Sequence, residues 1–397
     1  LLEEMSAHGA YPSHIDGGHE GATRVLFDTD DTHRLEALSE LLERGFGEDL
    51  TIRTDRGTVT VVGYGLGEDP TLVRRALQIA EEVVGEAPSA QLDPLSLDLV
   101  VPSDKVADLA RALHAASRDM GFIYIAGHGI GAGLIDAARA AAFGFFHASE
   151  ADKATVTVSE NHRGWLGQGG AKMQDDAQAD LKESFIWGLE DASGTMVDDH
   201  PLRGRNRWPA FSPDLRAVSM HYFDAAHRVA HDLMRGFARG LGLNEAFFLR
   251  TAAAPLSRAS YVYYPQQDVA LGADQFGVGP HTDFGVLTVL CQDSVGGLHV
   301  QDLDGDWIHA PPIDGTLLVN VGDLLSRWTD GAYRSTPHRV VNRSGQDRLS
   351  LVLAFDPNPE TMIDARDVFG QDHIPGEGPI SCGDYLIWRF KRAFSYR

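Results

Sequence analysis

The sequence contains very few cysteines, since Cys291 and Cys382 are the only two in 397 residues. Two thiols cannot build the disulfide framework of a small secreted domain, or a cysteine-based zinc or iron–sulfur site. The sequence also lacks a run of about 18 apolar residues, the length that a membrane-spanning helix requires. No signal-peptide pattern is present near Leu1. The composition therefore predicts a cytoplasmic protein without a membrane partner.

Positive charge is scarce as well. The chain has 34 Lys and Arg against 57 Asp and Glu, which gives a formal net charge of −23. Because an acidic surface repels a phosphate backbone, we expect no nucleic-acid partner. The length favours two domains, since single cores stop growing near about 250–300 residues. The chain begins with Leu1 rather than Met, so we expect further residues upstream.

Residues 1–88 alternate strand and helix patterns, which is typical of a small ferredoxin-like α/β region. The predicted strands are "ATRVLFDTD" and "GTVTVVGYG", and the predicted amphipathic helices are "THRLEALSELLERG" and "DPTLVRRALQIAEEVV". This region resembles the ACT domain, particularly the paired ACT units of aspartate kinases. The resemblance implies one of two roles: binding of a small amino acid as an effector, or packing that supports a homo-oligomer.

A change of pattern follows this region. The stretch "VGEAPSAQLDPLSLD" (Val84–Asp98) has small residues and two prolines, which predicts a linker before a second domain at 95–397. Helical spacing dominates up to residue 250, and short apolar strands separated by Gly, Asp and Pro follow from Arg258 to Pro357. This order predicts an α+β domain with a jelly-roll (double-stranded β-helix) core and a flanking helical half.

Three residues form a candidate metal site. His281 and Asp283 are two positions apart where a strand begins, so the alternation of a strand puts both side chains on one face. "YRSTPHRVVN" supplies His338 from another strand. Two imidazoles and one carboxylate are the facial set of non-haem Fe(II) oxygenases, although zinc also accepts them. His14 and Asp16 have the same spacing without a partner histidine, and we interpret them as polar residues of a loop or strand edge.

Arg348 and Ser350 follow His338 on the next apolar strand. A guanidinium and a hydroxyl on one strand face form a clamp for a carboxylate, and a buried arginine is costly without an anionic partner. Arg258 and Ser260 repeat the spacing but precede the histidines, so we assign no such role to them.

With these motifs, residues from about 95 to 397 resemble the Fe(II)/2-oxoglutarate dioxygenases of the isopenicillin N synthase type. "HTDFGVLTVLCQDSVGGLHV" is similar to the iron strand of that family, "LLVNVGDLLSRWTDGAYRSTPHRVVN" to its distal-histidine segment, and "RLSLVLAFDPN" to its cosubstrate clamp. The helical half is matched, in order, by "RDMGFIYIAGHGI", "RGWLGQGG", "LKESFIWG" and "GRNRWP".

The resemblance implies a role for each matching residue. His281, Asp283 and His338 would bind Fe(II), while Arg348 and Ser350 would bind the distal carboxylate of 2-oxoglutarate. Tyr264, the tyrosine before proline in "SYVYYP", matches a position that binds a cosubstrate or substrate carboxylate; packing in the sheet is the alternative. Segments that border the pocket in relatives contain three candidate substrate contacts, Arg163, Trp165 and Lys182, and surface charge pairing explains Lys182 equally well.

The implied activity consumes O₂ and 2-oxoglutarate, releases succinate and CO₂, and hydroxylates, desaturates or cyclises a small, amino-acid-like substrate in a biosynthetic pathway. Two alternatives stay open. An Fe(II) oxidase of the same fold would work without 2-oxoglutarate, and would form no succinate. An amino-acid-binding regulatory protein with an inactive jelly roll would bind no iron.

Overall fold

The computed structural model describes residues 121–171, 180–190, 200–266 and 276–394, together with the backbone of five short strands between residues 12 and 102. The helices predicted before residue 121 lie outside the described residues, apart from positions 77 and 81. The ACT-like interpretation therefore stays a prediction.

The five early strands form two small antiparallel sheets. One sheet pairs β1 (Pro12–Asp16) with β2 (Arg24–Phe27). The other has the order β3-β5-β4, in which the strands are β3 (Arg56–Val62), β4 (Ser89–Asp93) and β5 (Ser96–Pro102). The two strands predicted in the first region are thus confirmed as β2 and β3.

The stretch predicted as a linker differs in the structure. β4 and the start of β5 occupy it, and β5 pairs with β3 along its whole length. In the sequence, Leu97 and Leu99 alternate with Ser96 and Asp98, which is a strand pattern that the small residues and prolines nearby obscured. The division into two domains at 88 and 95 stays a prediction.

The part of the chain from residue 121 onward contains the remaining elements. Its first half holds β6 (Phe122–Ile125), α1 (Ala132–Phe146), α2 (Glu150–Ala154), β7 (Gly164–Leu166), β8 (Glu183–Gly188), α3 (Pro213–Gly240) and a short 3-10 helix (Phe248–Thr251). Its strand-rich half holds β9 (Arg258–Tyr264), β10 (Val278–His281), β11 (Leu287–Gln292), β12 (Leu298–Gln301), β13 (Trp307–Ala310), β14 (Leu317–Val321), α4 (Asp323–Trp328), β15 (His338–Val340) and β16 (Arg348–Phe355). The last elements are β17 (Met362–Ile363), α5 (Arg366–Phe369), β18 (Ile380–Ser381) and α6 (Cys382–Ala393).

Two antiparallel sheets face each other across a central cavity. The larger has the order β6-β14-β11-β16-β9-β8-β7, and the smaller has the order β10-β15-β12-β13. Apolar residues from both sheets, among them Val262 and Leu298, pack together between them. This arrangement confirms the predicted jelly-roll-like core, and short strands occupy the stretch from Arg258 to Pro357, as predicted.

Alternation along β16 explains how one strand serves two purposes. Leu349, Leu351, Leu353 and Phe355 are buried against α1 and α3 on the outer side of the larger sheet. Burial of each such side chain stabilises the fold by about 1.5–3 kcal/mol. The other face of β16 carries Arg348 and Ser350 into a cavity of about 190 Å³ between the sheets.

α6 closes one side of this cavity. Phe390 on α6 and Phe394 directly after it line the cavity wall. Phe394 also forms a β-bridge with Ala171. No helix of the described residues has the length and apolar character needed to cross a bilayer.

Candidate active site

The three predicted metal ligands meet between the two sheets. His281 ends β10 and His338 begins β15, and the two residues are paired across these strands. Oδ1 of Asp283 lies 3.9 Å from Nε2 of His281 and 3.8 Å from Nε2 of His338. One potential donor atom from each residue lies within 4.8 Å of the other two. This triangle has the spacing and the donor types to hold one metal ion from one side.

Hydrogen bonds orient both imidazoles. Nδ1 of His281 lies 2.8 Å from the carbonyl oxygen of Gly279, and Nδ1 of His338 lies 3.2 Å from the carbonyl oxygen of Thr336. Because a carbonyl oxygen can only accept, each Nδ1 carries a proton, and in the neutral form of each imidazole Nε2 is then the nitrogen with the free lone pair. That tautomer is the one that a metal bound at Nε2 requires.

The charge states of this site also suit a metal. Burial favours the neutral form of Asp283, but His338, His281 and hydrogen bonds from Thr288 and Asn320 outweigh it and lower the pKa of Asp283 to about 2. Burial and, to a smaller extent, the neighbouring His338 lower the pKa of His281 to about 3. At neutral pH the carboxylate is therefore ionised and the His281 imidazole is neutral.

Arg348 lies in the same cavity and is fully buried. Its Nε donates to the carbonyl oxygen of Gly296 at 2.6 Å, and its Nη1 donates to Oγ of Ser350 at 2.8 Å. Gly296 has a φ of +79° in a tight turn, a conformation that favours glycine. No acidic side chain in the described part of the chain forms an ion pair with Arg348. A buried cation in this state needs an anion from elsewhere.

Tyr264 lies next to this arginine. It is paired with Arg348 across β9 and β16, and the guanidinium carbon lies 4.7 Å from the centre of its ring. Burial raises the pKa of Tyr264 to about 12. The phenol therefore stays protonated and is available to donate a hydrogen bond to a carboxylate.

Of the three predicted substrate contacts, Lys182 alone lines the cavity, where its Nζ lies 3.4 Å from Oδ2 of Asp180. Arg163 is buried elsewhere, and its guanidinium donates to three backbone carbonyl oxygens. Trp165 donates from Nε1 to Oε2 of Glu183 at 2.7 Å. The structure does not bring Arg163 or Trp165 to the cavity, and these hydrogen bonds hold their side chains within the protein.

Among the polar residues that contact or line the site, Asn320 and Arg258 received no role in the sequence analysis. Asn320 donates from Nδ2 to Oδ2 of Asp283 at 2.7 Å. The sequence pattern that could have indicated a role for Asn320 is its position as a polar residue within the apolar stretch "TLLVNV". A buried side-chain amide needs a hydrogen-bond partner, so such a residue is a candidate contact of a polar site. Arg258, which shared the spacing of the carboxylate clamp and was set aside, also lines the cavity.

Known proteins match much of this chain. The 2OG-Fe(II) oxygenase superfamily matches residues 253–357, and the model described as "non-haem dioxygenase in morphine synthesis N-terminal" matches residues 88–211. Validamycin A dioxygenase from Streptomyces hygroscopicus subsp. limoneus is 36% identical over 65% of this chain and 74% of its own length. Homoarginine-6-hydroxylase 2-ODD-C23 from Glycine max is 31% identical over 66% of this chain and 81% of its own. This chain belongs to the 2OG-Fe(II) oxygenase superfamily.

Solved structures agree with this assignment. A full-length Neurospora crassa protein, solved in complex with alpha-KG and thymine, matches the oxygenase with a TM-score of 0.63 and 28% identity, over 72% of this chain and 92% of its own. The oxygenase is thus an enzyme that uses Fe(II), 2-oxoglutarate and O₂ and acts on a small molecule. The residues present fit these cofactors, since the His/Asp/His donor set suits Fe(II) and a buried guanidinium suits a carboxylate.

Proposed function

We propose a ligand set for the cofactors of this oxygenase. The iron ligands are His281, Asp283 and His338, and the far carboxylate of 2-oxoglutarate is anchored by Arg348, Ser350 and Tyr264. The observation that carries the proposal is the fully buried Arg348, which has no acidic partner among the described residues and shares a cavity with the three donors.

When bound, Fe(II) and 2-oxoglutarate supply the oxidising chemistry with O₂, giving succinate and CO₂ and a hydroxylated, desaturated or cyclised product. The side chains contribute orientation. The guanidinium of Arg348 offers a planar fork that fixes one end of the cosubstrate. Asn320 holds Oδ2 of Asp283, which leaves Oδ1 turned toward the two imidazoles.

We retain Lys182 as a candidate substrate contact, and we no longer include Arg163 and Trp165. The ammonium of Lys182 lies in the cavity wall, and its side chain is 11% exposed. A cation in this position suits a polar group of a small substrate.

Anaerobic spectroscopy and product analysis test the proposed function. Protein mixed with Fe(II) and 2-oxoglutarate should develop the visible charge-transfer band of the iron chelate. Homoarginine, validamycin A and thymine, taken from the relatives, are the first substrates to screen by succinate release. A substrate that is oxidised with O₂ in the absence of 2-oxoglutarate, by protein that forms no band, would favour the oxidase alternative.

The first region has a separate proposed role in assembly or effector binding. Its resemblance to ACT units supports a homo-oligomer or a response to an amino acid. Light scattering with and without a panel of free amino acids tests both, and an unchanged monomer under all conditions would count against them.

A further inference from the structure

The face of β9 and β16 that lines the cavity forms its floor. An arginine lies at each end of this floor. Across β9 and β16, Arg348 is paired with Tyr264, whereas Arg258 is paired with Ala354. Arg258 and Tyr264 are six positions apart on one strand, so alternation puts both on the same face, and both line the cavity. At about 3.3 Å per residue, they lie about 20 Å apart along the strand. Arg258 therefore lies at the end away from the carboxylate clamp.

The guanidinium of Arg258 is held in place before any ligand binds. Its Nη1 donates to Oδ2 of Asp356 at 2.7 Å, and its central carbon lies 4.7 Å from the centre of the Phe390 ring. Asp356 is fully buried, and its Oδ1 accepts a hydrogen bond from the backbone N–H of Val286 at 3.1 Å. A charged group fixed in this way loses little conformational freedom when it binds a ligand.

Most hydrogen-bonding capacity of this arginine is unused. A guanidinium has five N–H donors, and within the described residues the Arg258 side chain donates only to Asp356. The cavity around it is aromatic, with Phe284, Phe390 and Phe394 in its wall. In apolar surroundings a charge-assisted hydrogen bond to an anionic oxygen is stronger than one to a neutral oxygen.

Lys182 is a less suitable site for such a group. It directly precedes Glu183, which is paired with Tyr263, and so it lies at the Arg348 end of the cavity floor. That end is the one assigned to 2-oxoglutarate. The Arg258 end combines a fixed cation with aromatic walls and is better suited to a carboxylate of the substrate, while Lys182 remains a candidate contact for another polar group.

We propose that Arg258 determines substrate specificity by binding a carboxylate of the substrate, whose apolar body packs against Phe284, Phe390 and Phe394. The inference rests on the proposed function, because it takes the Arg348 end to be occupied by 2-oxoglutarate. The substrate class is thus a small organic acid with an apolar or aromatic body.

Matched pairs of ligands test this proposal. The probes are phenylacetate, indole-3-acetate and N-acetylphenylalanine, each compared with its carboxamide, which has the same shape without the charge. Each is titrated by calorimetry into the anaerobic protein loaded with Fe(II) and 2-oxoglutarate, after the chelate band has been recorded. We expect at least one carboxylate to bind at least tenfold more tightly than its carboxamide.

The variants are chosen so that folding is preserved. Arg258→Gln alone would leave the buried Asp356 without its cation, so the main variant is Arg258→Gln combined with Asp356→Asn, which removes both charges. This double variant should lose the preference for carboxylates while its affinity for 2-oxoglutarate stays unchanged. Asp356→Asn alone keeps Arg258, and Lys182→Met removes the cation at the other end; both should keep the preference.

The possible results distinguish a failure of the Arg258 inference from a failure of the proposed function. Persistence of the preference in the double variant would overturn the inference, as would a probe set in which no carboxylate binds better than its carboxamide although the chelate band forms. Loss of the preference in Lys182→Met but not in the double variant would assign the carboxylate to Lys182 and overturn it as well. Absence of the chelate band in the unaltered protein would overturn the proposed function itself, and this inference with it.

Discussion

Replacing Arg348 by leucine should separate 2-oxoglutarate binding from iron binding. Arg348 touches none of the three proposed iron ligands: its side chain contacts Gly296, Ser350 and Tyr264. The substitution removes the one buried cation that lies beside a hydroxyl and a protonated phenol in the cavity. We therefore expect Fe(II) affinity to stay within a factor of about three, a change of less than about 0.7 kcal/mol.

The expected loss of 2-oxoglutarate affinity follows from the burial of this arginine. Truncating one partner of a buried, hydrogen-bonded charge pair costs about 2–5 kcal/mol. Because about 1.4 kcal/mol corresponds to a tenfold change, the dissociation constant should rise at least about 30-fold. The upper part of the range applies here, since Arg348 has no exposed surface and water cannot replace its hydrogen bonds to the ligand.

Anaerobic titration of 2-oxoglutarate into Fe(II)-loaded protein, followed by the chelate band, measures this loss. Arg339→Leu is the matched control: Arg339 follows the proposed ligand His338, and its guanidinium stacks on Trp307 outside the cavity, with its carbon 4.3 Å from the ring centre. The control should bind 2-oxoglutarate like the unaltered protein. If Arg348→Leu forms the chelate with unchanged affinity, the carboxylate is bound elsewhere and the proposed clamp is wrong.

Three further predictions concern the metal, acid stability and the first region. His338→Ala should lose Fe(II), measured as metal content after desalting, whereas His14→Ala should keep it; the reverse pattern would refute the ligand assignment. His227 has its pKa lowered to about 4, mainly by burial and also by His231, so the stability that this residue contributes is complete above about pH 6.5 and is lost as pH falls toward 4. His227→Gln should therefore show a smaller drop in its urea midpoint between pH 7 and 5 than the unaltered protein, and an equal drop would contradict the assignment. A chain that starts at Ser89 should still bind Fe(II) and 2-oxoglutarate; if it folds by circular dichroism yet forms no chelate, the two-domain interpretation is wrong.

Local pattern was sufficient for the strands and for the faces on which β16 places its side chains. In "RLSLVLAFD", alternation alone assigns Arg348 and Ser350 to one face and the leucines to the other, and β16 has that arrangement. The same rule does not account for the pair His281 and Asp283, because His281 ends β10 and Asp283 lies in the connection before β11. The prediction for β16 succeeds because a face assignment depends only on the period of the strand, which each residue reports locally.

The positions of Arg163 and Trp165 relative to the cavity could not be predicted from local sequence pattern. Arg163 directly precedes β7 and Trp165 is its middle residue, and β7 lies at the edge of the larger sheet beside β8. β7 itself reaches the cavity, since Leu166 lines it. Arg163 and Trp165 instead hydrogen-bond to acceptors that are remote in sequence, the carbonyl oxygen of Leu202 and the carboxylate of Glu183. Such long-range partners cannot be obtained from spacing within a segment.

For Arg258, spacing predicts the face of the strand but not the position along the cavity. Its spacing to Ser260 was visible and gave the correct face, yet its position relative to the histidines suggested no role. The antiparallel pairing of β9 with β16 reverses the direction of the second strand, so two Arg-x-Ser segments that look equivalent in sequence lie at opposite ends of the cavity floor. Arg348 has a hydroxyl partner within its own segment, whereas Arg258 pairs with Asp356, the residue directly after β16. The same spacing thus yields the proposed carboxylate clamp at one end and a charge-paired arginine at the other, and the pairing of the strands determines which segment lies at which end.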